Sequence, residues 1–210
     1  MKKNILLKIL LITGIGICNS QIKYGIKAGI NYTNNVVVNI KSEDNKYLTS
    51  FNSGLFAKKT LNEFLGINTE LLFSRKGYKI DSDENANPSS EGNLHLDYIN
   101  LPLLLEYKPN EKFGIEVGTE LGYLLSAKSK FESQTIDVSN FWDNKFDFGL
   151  AIGANYSLSE KFFLNFRYIH GLTSVIKDVQ VQTDPFSEPV DSNIKFQNRT
   201  FQLSLGYFFE

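Results

Sequence analysis

The last ten residues, FQLSLGYFFE (Phe201–Glu210), decide the fold class of this chain. In an extended strand, successive side chains point to opposite faces. One face is therefore apolar and aromatic: Phe201, Leu203, Leu205, Tyr207 and Phe209. The other carries Gln202, Ser204 and Gly206. Chain ends are usually frayed and polar, so an amphipathic strand at this place must contact a core, a ligand or lipid.

The same period-two alternation recurs along the chain, and helical periodicity is not sustained after the first residues. It predicts strands in eight segments: 22–31, 54–61, 65–74, 99–107, 114–125, 146–156, 164–171 and 201–209. The pattern does not show which residues of segment 54–61 face inward and which face outward. Eight is an even number, as a closed antiparallel barrel in a bacterial outer membrane requires.

The connections alternate strictly between long and short. Tight turns at 61–64, 108–112 and 159–161 are rich in Asn, Pro, Ser and Glu, which are turn-forming residues. Long polar stretches occupy 32–52, 80–93, 128–145 and 173–198. Outer-membrane barrels have short periplasmic turns and longer outer loops, so both chain ends are expected at the periplasmic side.

The N-terminal residues 1–20 have the features of a signal peptide. Lys2 and Lys3 precede an apolar run over 5–17, which is too short to span a bilayer. The small residues Cys18 and Ser20 suit cleavage before Gln21. Ile17 stands where a lipoprotein would have a small residue, so lipidation of Cys18 is not expected. The predicted domains are a signal peptide, 1–20, and a β-barrel, 21–210.

Cleavage would remove the only cysteine and three lysines. The mature chain would then have no disulfide. It would carry 19 Lys and Arg against 23 Asp and Glu, a net charge of −4. A protein that binds nucleic acid usually carries a net positive charge or a basic surface. Because this charge is negative, nucleic acid is excluded as a partner.

The polar face of the predicted strands carries charges of both signs together with many glycines. The charged residues expected in the lumen are Lys23, Lys27, Lys58, Glu70, Glu106, Glu116, Glu120, Asp147 and Arg167. A soluble lipocalin-like barrel would instead direct its apolar face inward. Aromatic residues near the strand ends favour the membrane barrel, because aromatic girdles mark both interfaces. The closing strand is expected to pair with the first strand and to face lipid.

Few residues suggest a catalytic or metal-binding site. His95 lies two residues from Asp97, and His170 lies near the end of the seventh segment, but no serine motif or metal-ligand spacing accompanies them. Residues 81–92 begin like a calcium loop with Asp81 and Asp83, yet Ala86 stands where that loop needs glycine. No enzymatic activity, metal or cofactor is therefore expected.

Four segments resemble one known family: DYINLPLLLEYKP (97–109), ELGYLLSAK (120–128), RYIHGLTSV (167–175) and RTFQLSLGYFF (199–209). They are similar to the PorT-family outer-membrane β-barrel domain of Bacteroidetes-type Gram-negative bacteria. The resemblance spans essentially the whole mature chain. It implies an all-β, eight-stranded antiparallel up-and-down barrel, inserted into the outer membrane by the barrel-assembly machinery. It implies little about activity, although the founding member is associated with type IX secretion.

Three functions remain open. The first is a non-enzymatic outer-membrane barrel with a structural, adhesion or accessory role exerted through its outer loops. The second is a component of a type IX-like secretion apparatus, and the third is a soluble exported ligand-binding barrel. A general porin is not expected, because eight strands leave a lumen that side chains fill.

Overall fold

The computed structural model describes residues 22–38, 46–80, 92–131, 134–142, 144–174, 180–181, 190–191 and 195–209. The predicted signal peptide, 1–20, and the calcium-like residues 81–91 lie outside these ranges. Eight long strands are present: β1 (Ile22–Val38), β2 (Lys46–Thr60), β3 (Leu65–Ile80), β4 (Gly92–Tyr107), β5 (Phe113–Phe131), β6 (Phe146–Ser157), β7 (Phe162–Gly171) and β8 (Lys195–Phe208).

Short elements supplement the eight strands. A four-residue strand, Gln134–Asp137, pairs with the end of β5, and a 3-10 helix follows at Ser139–Phe141. Two-residue strands, Gln180–Val181 and Val190–Asp191, pair with each other. No helix in the described part of the chain is long and apolar enough to cross a membrane.

The eight long strands form a closed antiparallel barrel, as the sequence predicted. Each strand pairs with the next along the chain, and β8 returns to pair with β1. That last pairing extends from Gly25 opposite Phe208 to Val38 opposite Lys195. The N–H of Phe209 also donates to the carbonyl of Tyr24 at 2.9 Å. Closure satisfies the backbone groups that a free sheet edge would expose.

The apolar residues point outward along most of the barrel. On the closing strand, Leu203 is 48% exposed and Leu205 is 45% exposed, whereas their neighbours Gln202 and Ser204 are buried. Phe201 and Tyr207 also face outward and are partly covered by the rings of Tyr168 and Phe162. A surface of this kind is expected for contact with lipid chains rather than with water.

The structure shows which residues of the second strand face the lumen, a question that the sequence pattern did not answer. β2 is longer than the predicted segment 54–61, since it begins at Lys46. Phe56 and Lys58 point into the lumen and are buried, while Leu55 points outward and is 54% exposed. Segment 54–61 therefore continues the apolar-out alternation, with one aromatic residue turned inward.

All four predicted long connections are wrong in extent. Residues 32–52 contain the end of β1 and the start of β2, and residues 128–145 contain the end of β5 and the strand Gln134–Asp137. Residues 173–198 contain the start of β8 and the two short paired strands, and residues 80–93 include the end of β3 and the start of β4. The cause is that, at the strand ends near the long connections, the apolar side chains point into the lumen instead of outward. In β4, Ile99 and Leu101 face outward, whereas Leu94, Leu96 and Tyr98 face inward and are buried. The outward apolar residues that identify a strand in the sequence are therefore missing at these ends.

The pairing of β3 with β4 contains one interruption, and proline explains it. The register joins Thr69 to Leu103 and Leu72 to Asn100, but the positions between them are not paired. Pro102 lies in this gap and has no N–H to donate to the ladder. The register is the same on both sides, so the strand continues through the proline.

A charge network fills the barrel lumen

Arg167 on β7 is the centre of a buried ion-pair network. Its side chain is fully buried. Nη1 and Nη2 donate to the two carboxylate oxygens of Glu70 on β3, at 2.8 and 2.7 Å. Nε donates to Oε1 of Glu116 on β5 at 2.7 Å. The planar guanidinium suits such forked contacts, and here it joins strands from different sides of the barrel.

Lys27 on β1 completes a group with equal numbers of positive and negative charges. Its Nζ donates to Oε2 of Glu70 at 3.0 Å and to Oδ1 of Asn165 at 2.8 Å. Asn165 in turn donates to Oε1 of Glu116 at 2.9 Å. The central network therefore consists of Lys27, Arg167, Glu70 and Glu116, with amides bridging them. Buried charges are tolerated when they are paired and hydrogen-bonded in this manner.

Towards the short turns, a second ion pair lies beside aromatic rings. Lys58 contacts Glu106 at 3.1 Å, and Asn155 donates to the same carboxylate oxygen at 2.7 Å. The Lys58 ammonium also lies 4.4 Å from the centroid of the Phe163 ring. Phe163 packs with Phe56 and Phe208 at centroid distances of 5.2 and 5.1 Å. These three rings narrow the lumen at the end where the short turns lie.

Towards the long connections, a third group is built on Lys76 of β3. Its Nζ contacts Oε1 of Glu120 at 3.0 Å and Oδ2 of Asp147 at 3.1 Å. Asn198 on β8 donates to Oδ2 of Asp147 at 2.8 Å. Lys76 was not among the charged residues predicted for the lumen, because the predicted third strand ended at residue 74. The same alternation that includes Glu70 and Ser74 would have identified it.

An apolar cluster lies above the Lys76 group at the outer end of the barrel. Its buried members are Leu94, Leu96, Tyr98, Leu124, Ala127 and Trp142. Trp142, the only tryptophan of the chain, directly follows the 3-10 helix Ser139–Phe141. Side chains thus fill the lumen from the aromatic rings near the short turns, through the charged groups, to this apolar cluster near the long connections.

The charged residues expected in the lumen occupy two environments. Lys27, Lys58, Glu70, Glu106, Glu116, Glu120, Asp147 and Arg167 are all buried inside the barrel. Lys23 also points inward, but it is exposed at the mouth of the barrel near the short turns. There it lines a cavity of about 490 Å³ together with Lys108, Lys112 and Phe208.

Glycines on the inner face make room for this network. A Cβ on Gly153 would lie 2.9 Å from Oε1 of Glu116, and a Cβ on Gly114 would lie 2.9 Å from Oε1 of Glu106. Both distances are shorter than normal contacts allow. The glycine-rich polar face in the sequence therefore reflects a crowded lumen.

The two histidines take part in no catalytic arrangement among the described residues. Asp97, the residue considered as a partner for His95, instead accepts from Arg75 Nε at 2.6 Å and Nη2 at 3.0 Å. His170 Nδ1 lies 3.2 Å from the hydroxyl of Tyr168. No group of three His, Cys, Asp or Glu side chains within the described ranges could hold a metal ion.

Comparison with known proteins agrees with the geometry. The sequence profile of the outer membrane protein beta-barrel domain matches residues 18–177. The crystal structure of Neisserial surface protein A is similar with a TM-score of 0.52 at 12% identity, covering 89% of this chain and 97% of that chain. Ail, the attachment invasion locus protein of Yersinia pestis, has a TM-score of 0.48 at 16% identity, with coverage of 89% and 98%.

A search of curated proteins finds no match to the sequence. The structural likeness to Neisserial surface protein A concerns the fold alone. The profile match, in contrast, extends over more than half of the chain. This chain belongs to the outer membrane protein beta-barrel domain family.

Proposed function

We propose that this protein is a non-enzymatic outer-membrane barrel that acts through its outer connections, in a structural, adhesion or accessory role. The observation that carries the proposal is the central network of Lys27, Arg167, Glu70 and Glu116, which spans the lumen and is almost completely buried. A lumen filled in this way supports neither a diffusion channel nor a substrate pocket. Interactions with other molecules are then made by the outer surface and the connections.

The polarity of the lumen argues against a soluble ligand-binding barrel. Such a barrel encloses an apolar pocket. Here the side chains inside are mainly charged or amide groups, while leucines such as Leu203 and Leu205 are exposed outside. The resemblance to PorT-type domains is the only support for a role in a secretion apparatus, and that role stays a prediction.

We infer that the closing strand contacts the lipids of the outer membrane through Phe201, Leu203, Leu205, Tyr207 and Phe209. The barrel-assembly machinery is the expected partner during insertion.

Export is expected to remove residues 1–20, because the small residues Cys18 and Ser20 suit cleavage before Gln21. The intact mass of the protein purified from outer membranes should correspond to a chain that starts at Gln21. A mass that includes a lipid on Cys18 would contradict this cleavage.

The filled lumen predicts a barrel that does not conduct. Purified protein inserted into planar lipid bilayers should show no large, stable channels, because paired side chains occupy the space that ions would need. The measurement is single-channel current with a known porin as the positive control. Reproducible porin-sized steps from this protein would refute the filled lumen and the proposed non-channel role.

A further inference from the structure

The barrel has a cavity at the end where its short turns lie, and we call it the mouth cavity. The aromatic rings of Phe56, Phe163 and Phe208 lie between it and the rest of the lumen, with centroid distances of 5.2, 5.1 and 5.1 Å. A Cβ on Gly206 would overlap the Phe163 ring, so this glycine leaves room for the aromatic layer. The mouth cavity has a volume of about 490 Å³, and small-molecule sites commonly have volumes of ~300–1,000 Å³. It therefore has room for a small ligand outside the filled part of the lumen.

Four of the side chains that line the mouth cavity are lysines: Lys23, Lys58, Lys108 and Lys112. Lys23 on β1 lies directly opposite Lys58 on β2, and like charges placed in this way destabilise a sheet. Lys58 is the most deeply buried of the four, because it is only 8% exposed and its ammonium lies beside the Phe163 ring. An anion bound between Lys23 and Lys58 would offset the repulsion between their ammonium groups.

One buried carboxylate serves two of these lysines. Oε1 of Glu106 accepts from Lys58 at 3.1 Å, and Oε2 of Glu106 lies 3.4 Å from the Lys108 ammonium. Among the described residues, no carboxylate forms an ion pair with Lys23 or Lys112. An anion at the bottom of the mouth cavity would therefore meet ammonium groups that the single carboxylate of Glu106 does not neutralise.

Two further carboxylates, Glu111 and Glu160, line the mouth cavity on the exposed turns. Each follows a residue that fixes its turn by accepting two backbone N–H bonds: Asn110 through Oδ1 and Ser159 through Oγ. With Glu106 included, four ammonium groups face three carboxylates, so the arrangement of the charges is more informative than their sum. The buried ammonium lies at the bottom of the cavity, and the two turn carboxylates lie at its rim.

We propose that the mouth cavity binds a water-soluble sugar phosphate. In this arrangement the phosphate lies between Lys23 and Lys58, since the lysine ammonium is a compact charge that suits phosphate. The sugar hydroxyls donate hydrogen bonds to the carboxylates of Glu111 and Glu160, and the C–H face of the sugar packs against the Phe208 ring. Because the lysines on β1 and β2 and the ring on β8 all point inward, the cavity opens along the barrel axis rather than toward lipid. A soluble ligand therefore suits it better than a lipid headgroup.

This inference goes beyond the proposed function and does not depend on it. The central network of Lys27, Arg167, Glu70 and Glu116 lies on the other side of the aromatic rings, so a ligand in the mouth cavity opens no channel. In the orientation that the proposed function requires, the mouth cavity opens to the periplasm. A failure to bind sugar phosphate would leave the proposed function intact, because the filled lumen that carries it is a separate part of the barrel.

The test is isothermal titration calorimetry of the full mature protein in uncharged detergent micelles. The probes are glucose 6-phosphate, glucose and inorganic phosphate. Glucose 6-phosphate should bind about tenfold more tightly than either of the others, because only this probe contacts both the lysines and the turn carboxylates. Added salt should weaken its binding. The absence of binding at millimolar concentration would overturn the proposal. Equal affinity for inorganic phosphate would show an adventitious ion only and would also overturn it.

A single substitution tests the phosphate contact. Lys23→Gln should weaken the binding of glucose 6-phosphate about tenfold, the usual order for one hydrogen bond to a charged group. Lys23 is exposed, so this variant should fold like the parent, as its thermal unfolding temperature will show. Lys130→Gln is the matched control, because it removes one exposed lysine at the opposite end of the barrel, and it should bind like the parent. An unchanged affinity of Lys23→Gln, or an equal loss in both variants, would overturn the proposal.

A double substitution at the rim tests the sugar contact. Glu111→Ala/Glu160→Ala removes both turn carboxylates that accept from the sugar hydroxyls, whereas inorganic phosphate does not use them. The preference for glucose 6-phosphate over inorganic phosphate should therefore fall in this variant. A preference equal to that of the parent would overturn the proposed placement of the sugar and with it the assignment of a sugar phosphate.

Discussion

Replacing Arg167 with methionine should lower the free energy of unfolding by about 3–5 kcal/mol, the usual effect of breaking a buried ion pair. Methionine keeps much of the side-chain volume but cannot donate to Glu70 or Glu116. Both carboxylates then stay buried with only Lys27 to balance them. Denaturant titration of the mature protein folded into lipid vesicles measures the change.

A second substitution tests whether charge imbalance causes this loss. Arg167→Met/Glu116→Gln restores equal charge, because Lys27 and Glu70 remain as a pair at 3.0 Å. The double variant should therefore be more stable than Arg167→Met alone, even though it carries more changes. Glu116→Gln alone leaves one excess positive charge and should be destabilised. A double variant that is less stable than Arg167→Met would show that packing around the guanidinium, rather than charge, determines the loss.

Leu203→Arg should destabilise the barrel by about 2–4 kcal/mol, the cost of arginine near the bilayer midplane on the lipid-facing side of a membrane barrel. Along β8, Leu203 lies between Phe201, on the side of the long connections, and Tyr207 and Phe209, on the side of the short turns, and it is 48% exposed on the barrel surface. An arginine there removes apolar contact with lipid and also requires a charge to leave water. Titration in vesicles again gives the change in free energy.

Two controls on the same strand separate these contributions. Leu203→Ala loses apolar contact without adding charge, so its effect should be smaller than that of Leu203→Arg. Ser204→Ala changes the adjacent inward residue, whose hydroxyl donates to Oδ1 of Asn52 at 3.1 Å. It should cost about 1 kcal/mol, the usual value for one hydrogen bond. A mature parent protein that folds as a monomer without detergent or lipid would contradict the membrane-facing assignment.

The fold was predictable because contact with lipid imposes a regular pattern. Wherever the outer face of a strand meets lipid, an apolar residue is required at every second position, as in Leu101, Leu103 and Leu105 of β4. The pairing of β8 with β1 also followed, since an amphipathic strand at the chain end needs a partner for its backbone groups. The full lengths of β1, β2 and β5 could not be predicted, because their ends near the long connections extend beyond the band of outward apolar residues.

The candidate site was predictable as a set of residues but not as a set of contacts. Alternation places Glu70, Glu116 and Arg167 on the inner face of three different strands. It does not show that Arg167 contacts both carboxylates while Lys76 contacts Glu120 and Asp147. Those partners depend on strand tilt and register, which relate residues as far apart in sequence as Arg167 and Glu70.

The amino-acid sequence alone predicts the closed all-β architecture, the even strand number and the polar character of the lumen. These properties depend on the alternation of apolar and polar residues and on the lengths of the connections, and both can be read directly from the amino-acid sequence. The ion-pair partners and the apolar cluster around Trp142 became visible only in the tertiary structure. Each of these depends on which residues of different strands lie side by side, and only the register of the closed barrel sets that.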